Sequence, residues 1–475
     1  MLLLVGAGFG LAQVDSGVVR TRAVVDGVPM DLVRPAALTG TAPAVVVAHG
    51  HAASRRLMAD WGTTLARSGF VVALPDFAGH GANRTPLPDG PAREPRLAAD
   101  LDAAVGLLRR TPQVDPDRIG LVGHSMGAGA VYRFAAAHPE IAATAAISLP
   151  DGAVPEPAAA RHLLLLVGRH EFPSFHRAAE QASRAGAPGD HRPVEVLPRA
   201  EHLSILFAPR AHADTARWLQ NSLGVDAPLG NAAGERIRPA VLLWAAFAVG
   251  FVPFARRIVR PAVPADQESP AAPPAIAGAV AAGLAVGWAG SAAAPAGWSP
   301  LAVGGELGLF LVLFGLGFAA VPQLRHQIRC GRSGSAWRSV AVACYAALAV
   351  LLPIGIGAAE PVPHGARWWW TPLLVASGGI ACAAAELAAR GRRGVRRDGV
   401  RVAVLGSAAL GIAVAVGAGL LPGFVVLIAP LLAMLLLWHL AWAAVLARAG
   451  APWWLPAVVG GVLLGWPLAA VSPLG

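Results

Sequence analysis

A serine flanked by small residues stands in the run Gly123-His124-Ser125-Met126-Gly127, between a strand-like stretch at 118–122 and a helix-like stretch at 128–137. Glycines on both sides let the backbone turn tightly enough to lift a hydroxyl above the end of a sheet. A helix starting there aims its free N–H groups at the same point. The chemistry this spacing serves is nucleophilic, a hydroxyl attacking an acyl carbon. Competing chemistries are poorly provided for. Cys330, Cys344 and Cys382 all fall in the C-terminal half, so the serine-bearing half has no thiolate to offer. His162, His170 and His176 match no recognised zinc-ligand spacing and have no thiol nearby, so neither metal nor cofactor is expected.

The elements that must position the serine can be read from pattern. Alternation over residues 18–33 around Asp26-Gly27 predicts a hairpin. Strands are predicted at 44–48, 70–74, 118–122, 143–149, 162–167 and 193–197, alternating with helices at 56–67, 96–110, 128–137, 174–185 and 209–223. Such an order builds a doubly wound, mainly parallel α/β sheet, whose ligands belong at the carboxyl ends of its strands.

Residues 17–223 resemble the α/β-hydrolase superfamily, with the flavour of small serine esterases and dienelactone-hydrolase-like proteins. Four landmarks carry the resemblance: His49-Gly50-His51, Asp76-Phe77-Ala78-Gly79-His80-Gly81, the serine motif, and a late histidine, His202. Only residues 151–161 separate the sixth and seventh strands, so no large cap covers the site. The resemblance implies Ser125 as nucleophile, His202 as general base and then acid, and an acid after the seventh strand. Glu171, in Gly168-Arg169-His170-Glu171, takes that place, where the family usually has aspartate. The departure leaves Asp151, after the sixth strand, as the alternative acid. The implied oxyanion donors are the backbone N–H groups of His51 and Met126. Asp76 and His80 are expected to order the turn after the fourth strand.

From Pro239 onward the composition changes to apolar runs separated by arginine-bearing loops. The expected plan is an apolar signal or anchor remnant at 1–13, a hydrolase domain at 14–224, a linker at 225–238, and an all-α transmembrane domain at 239–475. About eight spans are expected, at 239–255, 273–291, 301–322, 339–358, 369–388, 400–420, 424–446 and 453–471. Placing the hydrolase domain outside puts fourteen arginines in cytoplasmic loops and only Arg236, Arg238 and Arg367 on the outer side. The positive-inside rule therefore predicts an exoplasmic hydrolase domain on a plasma membrane. The absence of lysine and the abundance of alanine and glycine resemble the usage of a GC-rich bacterial genome. Most of the net charge of +10 lies in those loops, which excludes a nucleic-acid role. Glu306, Glu386 and His439 lie in or near the spans. The two glutamates are expected to snorkel or pair locally, Glu386 beside Arg390, and His439 to hydrogen-bond between helices.

The expected activity is hydrolysis of a small-molecule or lipid-borne ester, at the bilayer, through an acyl-enzyme. An acyltransferase using the same residues, or a transporter or lipid-handling protein with a non-catalytic hydrolase-like domain, would share much of this sequence. The intact serine, acid, histidine order favours catalysis.

Overall fold

The computed structural model describes residues 1–153, 160, 162–186, 189–259, 269–325 and 336–475. Cys330, Arg161, Arg260, Arg329 and Arg332 lie outside the described residues. The chain divides into two units. One holds Leu2–Leu242 together with Gly355–Glu360 and Pro473–Gly475, and the other Leu243–Ile354 and Pro361–Ser472.

In the first unit, after helix α1 (Leu2–Gln13), β1 (Val18–Val25) and β2 (Val28–Pro35) form the predicted hairpin. Asp26 and Gly27 turn it with φ of 50° and 79°, the left-handed pair a tight two-residue hairpin demands. Then follow β3 (Ala42–Ala48), α2 (Ala59–Arg67), β4 (Val71–Pro75), α3 (Arg93–Arg110), β5 (Val114–His124) and α4 (Met126–Ala137). The unit continues with β6 (Ala143–Ile147), β7 (Leu163–Gly168), α5 (Pro173–Arg184), β8 (Val194–Leu197) and α6 (Pro209–Leu223). The eight strands lie in the order β1-β2-β4-β3-β5-β6-β7-β8. All neighbours are parallel except those involving β2.

The sheet is covered on both faces, which is why its central strands read as unbroken apolar runs rather than alternating ones. One core joins Val46 and Leu121 to Leu97, Leu101, Val131 and Phe134 of α3 and α4. The other joins Val45 and Val122 to Trp61 and Leu65 of α2 and Leu219 of α6.

The stretch 225–238 is not a free tether. Thr64 Oγ1 and Ser68 Oγ accept the backbone N–H groups of Ala232 and Gly230 at 2.9 Å each. Arg67 binds Glu235 at 2.5 Å, and Arg236 pairs with Asp15. Its Gly, Ala and polar composition, which suggests an exposed linker, instead provides small residues and amides that dock on α2.

Two segments distant in sequence complete this unit. Glu360 holds Arg55 at 2.8 Å and Arg56 at 2.9 Å. Leu474 is hydrogen-bonded through its N–H to Gly79 O at 2.8 Å and accepts Leu87 N–H at 2.9 Å.

The second unit is helical. Its helices are α7 (Ile237–Ile258, which begins in the first unit), α8 (Pro273–Ala293), α9 (Gly304–Ala319), α10 (Pro322–Arg325) and α11 (Ala336–Gly357). After them come α12 (Ala366–Ala389), α13 (Gly394–Gly417), α14 (Val425–Arg448) and α15 (Trp454–Val471). Among the described residues seven helices are long and apolar enough to cross a membrane, which marks a multi-pass membrane protein. The exception among the eight expected spans is the one at 301–322, whose helix α9 has 16 residues.

Glycines let α12 and α15 approach closely: a Cβ on Gly461 would stand 2.4 Å from Val375 O, and one on Gly465 2.5 Å from Leu374 O. Glu386 is paired differently from expectation. Antiparallel packing of α12 and α13 gives it Arg401, at 2.7 Å to each carboxylate oxygen, rather than its chain neighbour Arg390. His439 is buried, but forms no hydrogen bond among the described residues; its ring packs where a Cβ on Gly460 would come within 2.7 Å of it.

Candidate active site

The serine turn is built by close packing. A Cβ on Gly123 would stand 2.2 Å from Gly127 O, and one on Gly127 would stand 2.5 Å from His49 O, so both positions admit only glycine. Between them Ser125 takes φ 54° and ψ −119°, a costly conformation for a residue with a side chain. Its hydroxyl makes no capping bond to α4, so the ordinary reading of a serine at a helix start does not apply. The backbone at Ser125 is fixed by its N–H to Ile147 O at 2.9 Å.

The loop after β3 lies over this turn. A Cβ on Gly50 would meet His124 Nδ1 at 3.0 Å and Ser125 Cβ at 3.2 Å. His49 orders that loop: its Nε2 accepts Phe77 N–H at 3.0 Å, so its Nδ1 carries the proton and donates to Gly50 O at 2.8 Å. Burial pushes its pKa down to about 4 and keeps it neutral. His51, the residue at the expected oxyanion position, is likewise held at about 4, by burial and then by Arg93. Arg93 Nη2 lies 3.4 Å from His51 Nδ1 and 3.3 Å from Met126 Sδ. Met126 opens α4, where a helix's first amides have no intrahelical carbonyl.

Of the two candidate acids, the structure brings Glu171 to His202 and leaves Asp151 elsewhere. Glu171 Oε2 accepts His202 Nδ1–H at 3.1 Å, while Oε1 accepts Ser148 Oγ–H at 2.7 Å and Gly168 N–H at 2.8 Å. Asp151 is half exposed, 3.8 Å from Arg177. His202 is buried, its ring packed at tilted angles against Phe175 and His124 with centroid separations of 4.6 and 4.8 Å. His124 Nε2 donates to His202 O at 2.9 Å, which ties the histidine to the residue preceding Ser125. Ser125 Oγ has no hydrogen-bond partner among the described residues. Contacts of this kind commonly tighten only when substrate arrives.

Ser148 was not singled out from sequence. Its signals were its place just past the carboxyl end of β6, where ligands gather in such a sheet, and its φ of 55°, which only the structure reveals. Asp76 accepts the N–H groups of Arg55 and Ala82 at 2.8 Å each and pairs with the Arg55 guanidinium; with His80, whose Nδ1 bonds Ala78 O, it orders the turn after β4. His162 sits in a bridge with His191, and among the described residues no three metal-ligating side chains come together.

Residues 40–184 match the family described as serine aminopeptidase, S33. They cover β3 to α5, including the serine turn, in the strand order given above. The first unit is an α/β-hydrolase domain. Among its relatives, an uncharacterised protein of Mycobacterium tuberculosis (strain ATCC 25618 / H37Rv) is 37% identical over 103 residues, 22% of this chain and 35% of the relative. A bis(hydroxyethyl) terephthalate hydrolase of Streptomyces coelicolor is 36% identical over 104 residues, 22% of this chain and 32% of that enzyme. The matched stretch of the α/β-hydrolase domain thus spans about a third of the length of these relatives. A solved structure from Klebsiella pneumoniae, described as a dienelactone hydrolase, aligns with a TM-score of 0.36 at 17% identity, covering 44% of this chain and 98% of its own.

Proposed function

We propose that this protein is a membrane-bound serine hydrolase that cleaves a carboxylic ester through an acyl-enzyme on Ser125. The observation that carries the reading is the Glu171–His202 pair. Because His202 Nδ1–H donates to Glu171, the lone pair of Nε2 is left to take the serine proton. Ser125 Oγ attacks the carbonyl carbon as its proton passes to His202 Nε2. The oxyanion that forms is met by the N–H groups of His51 and Met126. Collapse breaks the ester C–O bond, and His202 returns the proton to the departing alcohol. Water then attacks the acyl-enzyme by the same route, releasing the acid and restoring Ser125.

The substrate class is an ester of the cell envelope or of a lipid. Esterase relatives, the small connection between β6 and β7, and the apolar helices of the second unit support this choice. The arginine distribution supports an exoplasmic α/β-hydrolase domain on a bacterial plasma membrane. A membrane-impermeant fluorophosphonate tests nucleophile and sidedness together: intact spheroplasts are expected to label in the wild type and not in Ser125→Ala. Equal labelling of the mutant would remove Ser125 from the mechanism. Labelling only after permeabilisation would place the domain in the cytoplasm.

A further inference from the structure

The membrane unit carries a second feature that ester chemistry does not use. Between α8 and α13 runs an open groove of about 620 Å³. Ile276 and Val280 of α8 and Val400 and Val404 of α13 line it, and Arg392 and Arg396 stand at one end.

Among the described residues, charge at that end is unbalanced. Residues 386–401 contain six arginines and two carboxylates. Both carboxylates are already engaged. Glu386 binds Arg401 through both oxygens and lies 3.6 Å from Arg397, while Asp398 binds Arg401 at 2.8 Å and Arg448 at 3.1 Å. Arg392 donates to the backbone carbonyls of Ala388 and Ala271. Among the described residues neither Arg392, Arg393 nor Arg396 has a carboxylate partner.

We infer that this groove binds an anionic phospholipid, its headgroup phosphate on Arg392 and Arg396 and an acyl chain along the apolar wall. A guanidinium fork matches phosphate oxygens in geometry as well as charge. The adjoining wall is aliphatic apart from Ser407, whose hydroxyl already donates to Ala403 O, and it excludes water from hydrocarbon. Surplus positive charge favours a headgroup with net negative charge, because the ammonium of a zwitterionic headgroup is repelled. The inference stands apart from the ester-cleaving assignment and survives or fails without it.

The test is native mass spectrometry of the full-length protein, delipidated in detergent and titrated with phosphatidylglycerol, with phosphatidylcholine of the same acyl chains, and with inorganic phosphate. Phosphatidylglycerol is expected to be retained roughly tenfold better than phosphatidylcholine. The double variant Arg392→Gln/Arg396→Gln is expected to erase that preference, and Arg392→Lys/Arg396→Lys to keep most of it. Ala403→Trp, which fills the groove without changing charge, is expected to lower retention of phosphatidylglycerol. Thermal melting in the same detergent, unchanged across the variants, reports that each is folded. Equal retention of the two lipids overturns the inference. So does displacement of phosphatidylglycerol by millimolar phosphate, which would mark a soluble-anion site, or an Ala403→Trp variant with undiminished retention.

Discussion

Replacing Glu171 by glutamine tests the proposed chemistry at one atom. Oε1 of Glu171 accepts two hydrogen bonds, from Ser148 Oγ–H and Gly168 N–H, and Oε2 accepts one, from His202 Nδ1–H. An amide has only one acceptor oxygen. It is expected to turn that oxygen toward the two donors, leaving its NH₂ against His202. The imidazole then relieves the clash of N–H against N–H by moving its own proton to Nε2, the nitrogen that must accept from Ser125. A wrong tautomer of this kind costs on the order of 10³–10⁴ in kcat, or about 4–5 kcal/mol in the barrier. KM is expected to stay within about twofold, because the carboxylate contacts histidine, not substrate. Asp151→Asn is expected to change kcat by less than about twofold, since that side chain is half exposed and lies 3.8 Å from Arg177 rather than on His202. The assay is steady-state hydrolysis of a short p-nitrophenyl ester by the full-length protein in detergent, with thermal melting as a fold control. Retention of more than a tenth of kcat in folded Glu171→Gln, or a larger loss in Asp151→Asn, would refute the assignment of the acid.

Two further outcomes follow from packing and burial. Gly127→Ala forces a methyl to within 2.5 Å of His49 O and 2.6 Å of Ala48 O, backbone atoms with little room to move. It is expected to cost about 1–3 kcal/mol or more and to abolish turnover, so a melting temperature equal to wild type would contradict the packing account. His212 is buried, bonded to Thr64 Oγ1 and Leu206 O, and burial lowers its pKa from 6.5 to about 4. Between those values the unfolded chain binds a proton that the native state refuses, so stability falls as pH drops through that window, by on the order of 3 kcal/mol for this group. Denaturation midpoints from pH 7 to 4.5 are expected to decline less steeply in His212→Gln than in wild type. Parallel profiles would show that the histidine is not buried neutral.

What was legible from sequence is what local backbone demands imposed. Asp26-Gly27 marks the hairpin because few residues take two positive φ angles in succession. Gly123 and Gly127 mark the serine turn because any side chain there would strike backbone. The order of motifs along the chain pointed to Glu171 and His202, but their contact comes from the sheet, which sets the ends of β7 and β8 side by side. The less legible features are contacts that no local pattern encodes. Ser148 looks like an ordinary strand-end serine until its hydroxyl is seen on Glu171. The 225–238 stretch has the composition of a tether, yet its amides meet Thr64 and Ser68 of α2 and the turn after it. Glu386 is nearer in sequence to Arg390 than to Arg401, and only the packing of two helices decides between them.

The ion pair of Arg55 with Glu360 joins residues 305 positions apart. During synthesis, Asp31 and Asp76 are available to Arg55 early, while Glu360 emerges only after α7 to α11 have been made. Closing so long a loop is among the slowest and most easily misdirected events in folding. The segment it restrains begins just after His51, the residue proposed to meet the oxyanion. On the proposed ester chemistry, a nascent chain is expected to turn over ester poorly until Glu360 has reached Arg55.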